Sequence, residues 1–472
     1  MIAGPQPRRD PDVISCSARR LALVGCAGVL MSCGGTRTLD ADGPWLEAPP
    51  AARVAPASTF GSAAPRAGLD VDAMVARVSA ARGLPVRRPV ASYELDRAAM
   101  MARIRAHAER ETPREIVIHQ GEVLAVLELV PPDYDLEAGA LRLIEGRVAG
   151  YYEPEDQALY VADDLDALSA TDTLAHELTH ALQDQTYGLG ALLAFKPGEG
   201  DRLAAAHALI EGDAVSAMYD VVLGSASRVD MTEFRQLLVD STEDSPVASI
   251  TPSFLKASLN APYAEGFACV QELRRRGGWP AVDAVWRALP DSTEQILHPD
   301  KLAAREPPIA LPLPSIDALG EGFKVVLDDV MGENDLRLAI AEWIAGAVTA
   351  DRSEEASPSA SAAAAAAGWG GDHYLVARRD VPGPPARREL AFAWHLRFDT
   401  AADAAQMAAV LTRRFGSTCD SRADLGPILW RAASRDIALV AGPYERRAGD
   451  RGARSAGSCA SAAAWARAIL KG

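Results

Sequence analysis

Two histidines and a glutamate lie at metal-ligand spacing in residues 174–184, which read LAHELTHALQD. At about 100° per residue, a helix places His176 and His180 within about 40° of each other on one face. Imidazoles one turn apart can both bind a zinc ion at about 2.0–2.1 Å, with Glu177 beside the metal-bound water. Zinc lowers the pKa of that water to about 7, so Glu177 can take its proton. The segment therefore predicts a catalytic zinc helix.

A third protein ligand must come from elsewhere. A third histidine in this segment would need Gly at position 183 and His at position 186, but the chain has Gln183 and Thr186. Asp184 lies one turn after His180, where a carboxylate is better suited to orient that imidazole than to bind the metal. We therefore expect the third ligand on a following helix.

Glu211 is the candidate, because it interrupts an apolar helical stretch within residues 203–222. A buried carboxylate costs several kcal/mol unless it is paired, and a metal ion removes that cost. Gly212 costs about 1 kcal/mol relative to alanine in a helix interior, which predicts close approach by another backbone. His207 shares the face of Glu211 and is expected to support it. The alternative for Glu211 is a solvated position at a helix boundary.

The pattern HELTH at 176–180 followed by EGDA at 211–214 resembles the gluzincins, zinc peptidases with a His, His, Glu ligand set. The resemblance implies that His176, His180 and Glu211 bind Zn²⁺. It also implies that Glu177 is the general base.

A second segment, PYAEGF at 262–267, resembles the helix of the aminopeptidase N class that carries an oxyanion-stabilising tyrosine. The resemblance gives that role to Tyr263, and packing on a helix face is the alternative. The spacing from His180 to Glu211 exceeds that of this class. The chain also lacks the class's Gly-x-Met-Glu-Asn segment, which recognises a substrate amino terminus. An endopeptidase is therefore favoured over an aminopeptidase.

A broader resemblance covers roughly residues 80–440 and relates the chain to uncharacterised prokaryotic surface or lipoprotein metallopeptidases. Its motifs are GYYEP at 150–154, HELTHALQDQ at 176–185, STEQILHP at 292–299 and GWGGD at 368–372. His298 could donate to the oxyanion or close a helix before Pro299, and the structural role is favoured. In zincins generally, a strand just before the active helix forms a sheet edge to which substrate backbone adds, and residues 157–162 are the candidate edge strand.

Periodicity predicts an α+β fold: a mainly helical zincin-like domain with a small antiparallel or mixed sheet, then a small α/β domain with mixed pairing. The predicted elements are helices near 96–110, 171–187, 200–222, 262–276 and 280–289, a hairpin from 148 to 161, strands at 372–378, 389–398, 427–434 and 436–441, and helices at 400–414 and 459–470. We place the zincin-like domain at 71–350, an Ala/Ser linker at 351–367 and the second domain, of unknown role, at 368–472.

The first residues predict export. Arg19 and Arg20 precede an apolar run, 21–31, that is too short for a bilayer core, which needs roughly 20 residues. The run ends in Leu-Met-Ser-Cys, which resembles a bacterial lipobox with Cys33 as the lipidated residue. Residues 1–32 are then a lipoprotein signal peptide and 33–70 a disordered linker. An ordinary signal peptide is the alternative.

Composition excludes some classes of function. The 472 residues carry 48 basic and 64 acidic side chains, and this charge of −16 disfavours nucleic-acid binding. Six cysteines are too few for a disulfide-dense scaffold. In an oxidising compartment Cys419 and Cys459 are the expected disulfide, and Cys269, in an apolar helical stretch, is expected to be an inert core residue.

These observations favour zinc-dependent hydrolysis of a peptide or protein substrate at a bacterial cell envelope. The protein would be held at a membrane, in the outer membrane or at the cell surface, by lipid on Cys33. The rival hypothesis is a non-catalytic zinc-containing envelope scaffold or binding lipoprotein. A third hypothesis is a protease inhibited by its own segment 71–140.

Overall fold

The computed structural model describes residues 70–145, 147–194, 196–347, 358–383, 387–423, 425–447 and 453–471. The predicted signal peptide, Cys33 and nearly all of the 33–70 linker lie outside the described residues. The fold is α+β, as predicted, with two separate sheets. None of the helices in the described ranges is long and apolar enough to span a membrane.

Helices dominate the chain as far as residue 304. The elements are α1 (Val71–Arg82), β1 (Ala91–Leu95), α2 (Arg97–Glu111), α3 (Arg114–Val126), α4 (Leu136–Glu145), β2 (Gly150–Glu153), β3 (Ala158–Ala162), α5 (Ala167–Tyr187), α6 (Leu189–Leu193), α7 (Gly200–Leu223), α8 (Met231–Glu243), α9 (Ser253–Arg287), α10 (Thr293–Leu297) and α11 (Pro299–Ala304). The predicted helix 262–276 lies within α9, and the predicted helix 280–289 overlaps the C-terminal part of α9, which ends at Arg287. Gly278 has a φ of 65°, so the helical geometry is interrupted where the sequence predicted a gap.

The first sheet has three strands in the order β1-β3-β2. β2 and β3 pair antiparallel, which confirms the predicted hairpin. β1 pairs parallel with the other side of β3, so the prediction that 157–162 is an edge strand was wrong. β1 and β3 are far apart in the sequence, so the pattern of residues within either strand does not predict that they pair. β2 is the outer strand that packs against α5.

The second sheet is antiparallel in every described pairing, with the order β4-β5-β6-β9-β8-β7 and β10 on β9. Its region contains β4 (Lys324–Asp329), α12 (Gly332–Ala347), α13 (Pro358–Ala366), β5 (Trp369–Val381), β6 (Arg387–Phe398), α14 (Ala401–Phe415), β7 (Asp420–Arg422), β8 (Gly426–Ala433), β9 (Asp436–Arg447), β10 (Ala453–Ser455) and α15 (Cys459–Ile469). The prediction of mixed pairing was wrong. The sheet also takes β4 from within the predicted zincin-like domain.

The predicted Ala/Ser linker at 351–367 contains helix α13, so that interpretation needs correction. Ala362 and Ala366 are fully buried, and α13 packs against α12. Alanine has the highest helix propensity, so an alanine-rich run becomes helical once it has a surface to pack on.

The remaining cysteine predictions agree with the structure. Cys419 and Cys459 form a disulfide with a Cα–Cα distance of 5.8 Å, which links the segment between α14 and β7 to the start of α15. Cys269 is a free cysteine buried in α9. Burial raises the pKa of its thiol to about 12, so Cys269 is an inert core residue, as predicted.

The N-terminal helices belong to the same core as α5. Val78 of α1 and Met100 and Ile104 of α2 are buried in one cluster with Leu174 of α5. These side chains make α1 and α2 integral parts of the helical region. Their removal would expose apolar surface that α5 needs for its own burial.

The second sheet is joined to α7 through buried carboxylates. Asp372, in the GWGGD motif, accepts hydrogen bonds from the indoles of Trp369 and Trp394 and from the amides of Met331 and Gly332. Through the amides of Met331 and Gly332, the Asp372 carboxylate of β5 fixes the loop between β4 and α12. The GWGGD motif therefore has a structural role in this fold.

Two further carboxylates, Asp329 and Asp201, hold the start of α7. Asp329, at the end of β4, accepts a 2.8 Å hydrogen bond from the Gly200 amide. Asp201 accepts from the amide and hydroxyl of Thr293, in the STEQILHP motif. The sheet, α10 and α7 are therefore tied together, and α7 carries Glu211.

Candidate metal centre

Helix α5 presents the two histidines of the HELTH segment one turn apart. It begins at Asp166, whose carboxylate accepts hydrogen bonds from the Leu168 and Ser169 amides, and it ends at Gly188 in the left-handed conformation. His176 and His180 are both buried, with 2 % and 7 % of their surfaces exposed. Their rings lie 4.6 Å apart, centroid to centroid, on one face of the helix.

Glu211 reaches the same point from α7, which packs on α9 without intervening side chains. A Cβ atom added to Gly212 would lie 2.0 Å from the Gly266 carbonyl carbon, and one added to Gly266 would lie 1.8 Å from the Ala208 oxygen. The predicted close approach at Gly212 is therefore confirmed. Two facing glycines let α7 and α9 touch, and this contact positions Glu211 between α9 and α5.

Three potential ligand atoms form a small triangle. The Nε2 atoms of His176 and His180 lie 3.0 Å apart, and Oε2 of Glu211 lies 3.1 Å from the first and 3.5 Å from the second. Tetrahedral zinc with bonds of about 2.0–2.1 Å has ligand atoms about 3.3–3.4 Å apart. The three predicted ligands thus fit one zinc ion by type and by spacing.

Gln183 determines which nitrogen of His180 faces the triangle. Its Oε1 lies 2.8 Å from Nδ1 of His180, and its Nε2 donates to the Ile210 carbonyl. Because the amide oxygen only accepts, Nδ1 must carry the proton, and Nε2 of neutral His180 presents a lone pair. That is the tautomer that binds a metal through Nε2.

The prediction that Asp184 orients His180 was wrong. The Asp184 carboxylate instead accepts hydrogen bonds from the Tyr152 hydroxyl, the Arg88 guanidinium and the Leu189 amide. Residue 184 lies about 40° away from His180 around the helix axis, and residue 183 lies about 60° away on the other side. Spacing alone therefore did not distinguish the two positions.

His207 lies one turn before Glu211 on α7, and its Nε2 is 3.1 Å from Oε1 of Glu211. Burial raises the pKa of Glu211, but His180, His176 and His207 together hold it well below its usual range. Burial likewise lowers the pKa of His180, yet the Glu211 carboxylate raises it to about 9. The centre is thus a buried carboxylate surrounded by imidazoles.

Glu177 is held by one of its two oxygens. Oε2 accepts a 2.7 Å hydrogen bond from the Tyr152 amide of β2, whereas Oε1 is buried without a hydrogen-bond partner. Burial raises the pKa of Glu177, with His180 and His176 opposing that change. A fixed carboxylate with one unpartnered oxygen beside the triangle suits a proton acceptor. The sequence did not predict that the Tyr152 amide of β2 would hold the Glu177 carboxylate.

Tyr263 and His298 differ in their relation to the centre. The Tyr263 ring is buried, with its centroid 6.2 Å from that of His176. His298 lies between α10 and α11, and its Nε2 is 2.8 Å from Oε1 of Glu333. The structure therefore brings Tyr263 to the candidate ligands and leaves His298 in a structural pair.

Comparison with known proteins gives one partial match. A family model described as a domain of unknown function, DUF8575, matches residues 323–447. The matched range starts next to β4 and ends with β9, so it covers most of the second sheet and none of the candidate metal ligands. No curated protein and no solved structure matches the chain.

Two other groups of potential ligands occur in the described ranges: His107 with Glu153 and Glu155, and Glu294 with Glu306 and Asp399. In the second group the Lys301 ammonium pairs with all three carboxylates and supplies the positive charge. In the first, Glu155 is exposed and pairs with Arg110. Among these groups, only the triangle of His176, His180 and Glu211 is buried throughout.

Gln183→Ala is expected to lower zinc affinity about 10- to 100-fold, because partners that orient a ligating histidine have effects of this size. Competition with a chromophoric chelator measures the affinity. The matched control is Asp184→Asn, which should leave zinc affinity unchanged. Equal losses in the two variants would restore the rejected role of Asp184.

Proposed function

We propose that this protein is a zinc-dependent peptidase of gluzincin type that hydrolyses internal peptide bonds with Glu177 as its general base. The observation that carries the proposal is the Glu177 carboxylate, whose Oε1 is buried and unpartnered beside three potential ligands. A structural zinc site usually has four protein ligands and needs no base. Three ligands with an adjacent carboxylate are typical of a catalytic site.

His176, His180 and Glu211 would hold the ion. A zinc ion bound there supplies an acidified water and polarises a carbonyl group. Glu177 accepts the proton of the attacking water on Oε1 and delivers it to the leaving amine, so the hydroxyl ends on the carbonyl carbon and the proton on nitrogen. The Tyr152 amide keeps Glu177 oriented through Oε2. Tyr263 is proposed to donate its hydroxyl hydrogen to the developing oxyanion.

The proposal includes export and anchoring at the cell envelope through lipid on Cys33. It rests on the apolar run at 21–31 and the Leu-Met-Ser-Cys sequence that follows. The disulfide between Cys419 and Cys459 supports an oxidising compartment, since disulfides are rare in reducing ones.

Glu177→Gln tests the catalytic part of the proposal. The variant should still bind one zinc ion per chain, but its cleavage of a peptide library should fall about 10²- to 10⁴-fold, because the general base is lost. Metal analysis and mass spectrometry of the library provide the two measurements.

The matched control is Glu155→Gln, an isosteric change at an exposed turn whose carboxylate pairs with Arg110. It should cleave the library like wild type. If zinc-loaded wild type cleaves no better than Glu177→Gln, the protein is a zinc-containing scaffold and the proposed function is wrong.

A further inference from the structure

Helix α3 presents three polar side chains to the second sheet. Glu115, His119 and Glu122 lie about one turn apart on one face of this helix. Oε1 of Glu115 lies 3.7 Å from Nη1 of Arg378, and Oε1 of Glu122 lies 2.6 Å from Nε of Arg446. His119 lies between these two contacts of α3 with the sheet, so its imidazole faces the sheet as well.

The surface of the sheet opposite α3 carries arginines on three neighbouring strands. Arg378 of β5 pairs with Leu390 of β6, and Arg388 lies two residues before Leu390, so both arginines lie on the same face. Arg388 pairs directly with Arg446 of β9. Like charges directly opposite each other destabilise a sheet. Glu122 compensates Arg446 through both of its oxygens, so other anions must compensate Arg378 and Arg388.

The carboxylates that pair with Arg378 and Arg388 are exposed and bind loosely. Asp380, whose side chain is 66 % exposed, lies 3.5 Å from Nε of Arg378 and 4.0 Å from Nε of Arg388. Glu115 is 64 % exposed, and its 3.7 Å contact with Arg378 is also too long for a charge-assisted hydrogen bond. Exposed ion pairs of this kind contribute little to stability. An anion that bonds the guanidinium groups directly would therefore replace these contacts at small cost.

Two buried polar atoms at this place have no hydrogen-bond partner among the described residues, Nδ1 of His119 and Nη1 of Arg378. His119 is only 3 % exposed. Burial lowers the pKa of its imidazole to about 4, and the charges of Arg378 and Arg388 act in the same direction. The imidazole is therefore neutral at pH 7 in a positive field. Buried polar atoms normally have partners, and an anionic oxygen could accept a hydrogen bond from both.

We propose that His119, Arg378 and Arg388 form a binding site for a tetrahedral oxyanion, a phosphate or sulfate group. The three side chains come from α3, β5 and β6, and such an anion has enough oxygens to accept from all three, whereas a planar carboxylate has two. Guanidinium groups also match the geometry of phosphate oxygens. Either a free ion or the headgroup of an anionic lipid carries this chemistry.

The position of the site gives the anion a structural consequence. Both arginines lie in the range that the DUF8575 model matches, whereas His119 belongs to α3 outside it. A bound anion would therefore hold α3 against the second sheet. None of the three residues is a candidate zinc ligand, so the inference does not depend on the proposed peptidase activity.

Arg378→Gln tests the site by calorimetry of the full chain with sulfate, whose charge does not change near neutral pH. Wild type should bind one sulfate per chain with saturation. The variant should bind about 10- to 100-fold more weakly, because hydrogen bonds to a charged group are lost. His119→Phe keeps a buried ring and should weaken binding about 10-fold. Arg388→Gln repeats the test from β6 if the first variant does not fold.

Arg467→Gln is the matched control. It removes the same charge from an exposed position in the last turn of α15, and α15 packs on the opposite face of the sheet. This variant should bind sulfate like wild type. Peptide cleavage and zinc content should stay unchanged in both Arg378→Gln and Arg467→Gln.

Asp380→Asn should have the opposite effect on sulfate binding. It removes the carboxylate that competes for both arginines, so affinity should rise about 2- to 5-fold. Thermal unfolding gives a second readout. Sulfate stabilises most proteins through exclusion from their surface, so the informative quantity is the Tm increase of wild type beyond that of Arg378→Gln.

Vesicles distinguish the two sources of the anion. Flotation of the Cys33→Ala chain with phosphatidylcholine vesicles, with and without phosphatidylglycerol, measures headgroup binding without lipid on Cys33. Sulfate binding that Arg378→Gln weakens supports a site for the free ion. Binding only to phosphatidylglycerol, lost in the same variant, supports the headgroup. The absence of both, or equal losses in Arg378→Gln and Arg467→Gln, overturns the site.

Discussion

Glu211→Gln is expected to reduce bound zinc from one ion per chain to a small fraction after dialysis. Glutamine keeps the size of the side chain, but its neutral amide cannot replace the carboxylate at one corner of the triangle. Oε2 of Glu211 lies 3.1 Å from the ring nitrogen of His176, so the substitution removes an anionic ligand atom from the triangle itself. The affinity loss should exceed the about 10- to 100-fold produced by outer partners of a ligand. Metal analysis after dialysis against a weak chelator measures it.

Glu155→Gln is again the control, because Glu155 belongs to the group of potential ligands that it forms with His107 and Glu153. It should keep a full complement of zinc. If instead Glu211→Gln stays loaded and Glu155→Gln loses its metal, the ion belongs at the turn between β2 and β3. The assignment of the centre would then be wrong.

The sequence predicted the parts of the centre that depend on one helix. The relative positions of His176, Glu177 and His180 follow from helical periodicity, and the structure adds the caps Asp166 and Gly188 at the two ends of α5. The role of Glu211 could also be predicted, because a charged residue in an apolar helix needs a partner of opposite charge. Gly212 predicted that another backbone passes close to α7 at this point, but the sequence did not identify Gly266 of α9 as that backbone.

What the sequence missed depends on contacts between distant segments. The parallel pairing of β1 with β3 joins strands separated by three helices, so the true edge beside α5 is β2. The amide of Tyr152 holds Glu177 for the same reason. β4 joins a sheet whose other strands begin after residue 368. Side-chain patterns report burial and periodicity, but neither specifies which strand will be the partner.

The choice between Gln183 and Asp184 shows a second limit. Both residues follow His180 closely enough for their side chains to reach its imidazole, and a carboxylate is the stronger acceptor. Asp184 is instead engaged by Tyr152 and Arg88, which the fold brings from β2 and from the segment after α1. The competing partners are not visible in the sequence around the histidine.

Asp213→Asn is expected to lower the free energy of unfolding by about 3–5 kcal/mol, the largest stability effect that we predict for a single substitution. Asp213 lies on α7 near Glu211 and binds Arg82 of α1 through two contacts, 2.6 Å and 2.9 Å long. Both side chains are completely buried. Asparagine would leave the Arg82 charge with only the partly exposed Asp283 at 2.8 Å. Urea denaturation of the metal-free protein measures the loss.

The double variant Arg82→Met/Asp213→Leu separates the loss of the ion pair from the presence of an unpaired charge, because it removes both charges at once. The double variant should be more stable than Asp213→Asn, since no buried charge is left without a partner. The exposed pair of Arg110 and Glu155 supplies the control, and Glu155→Gln should cost less than about 1 kcal/mol. If Asp213→Asn is as mild as Glu155→Gln, α1 does not stabilise α7 through this pair. The position of Glu211 must then depend on other contacts of α7, such as that between Gly212 and Gly266.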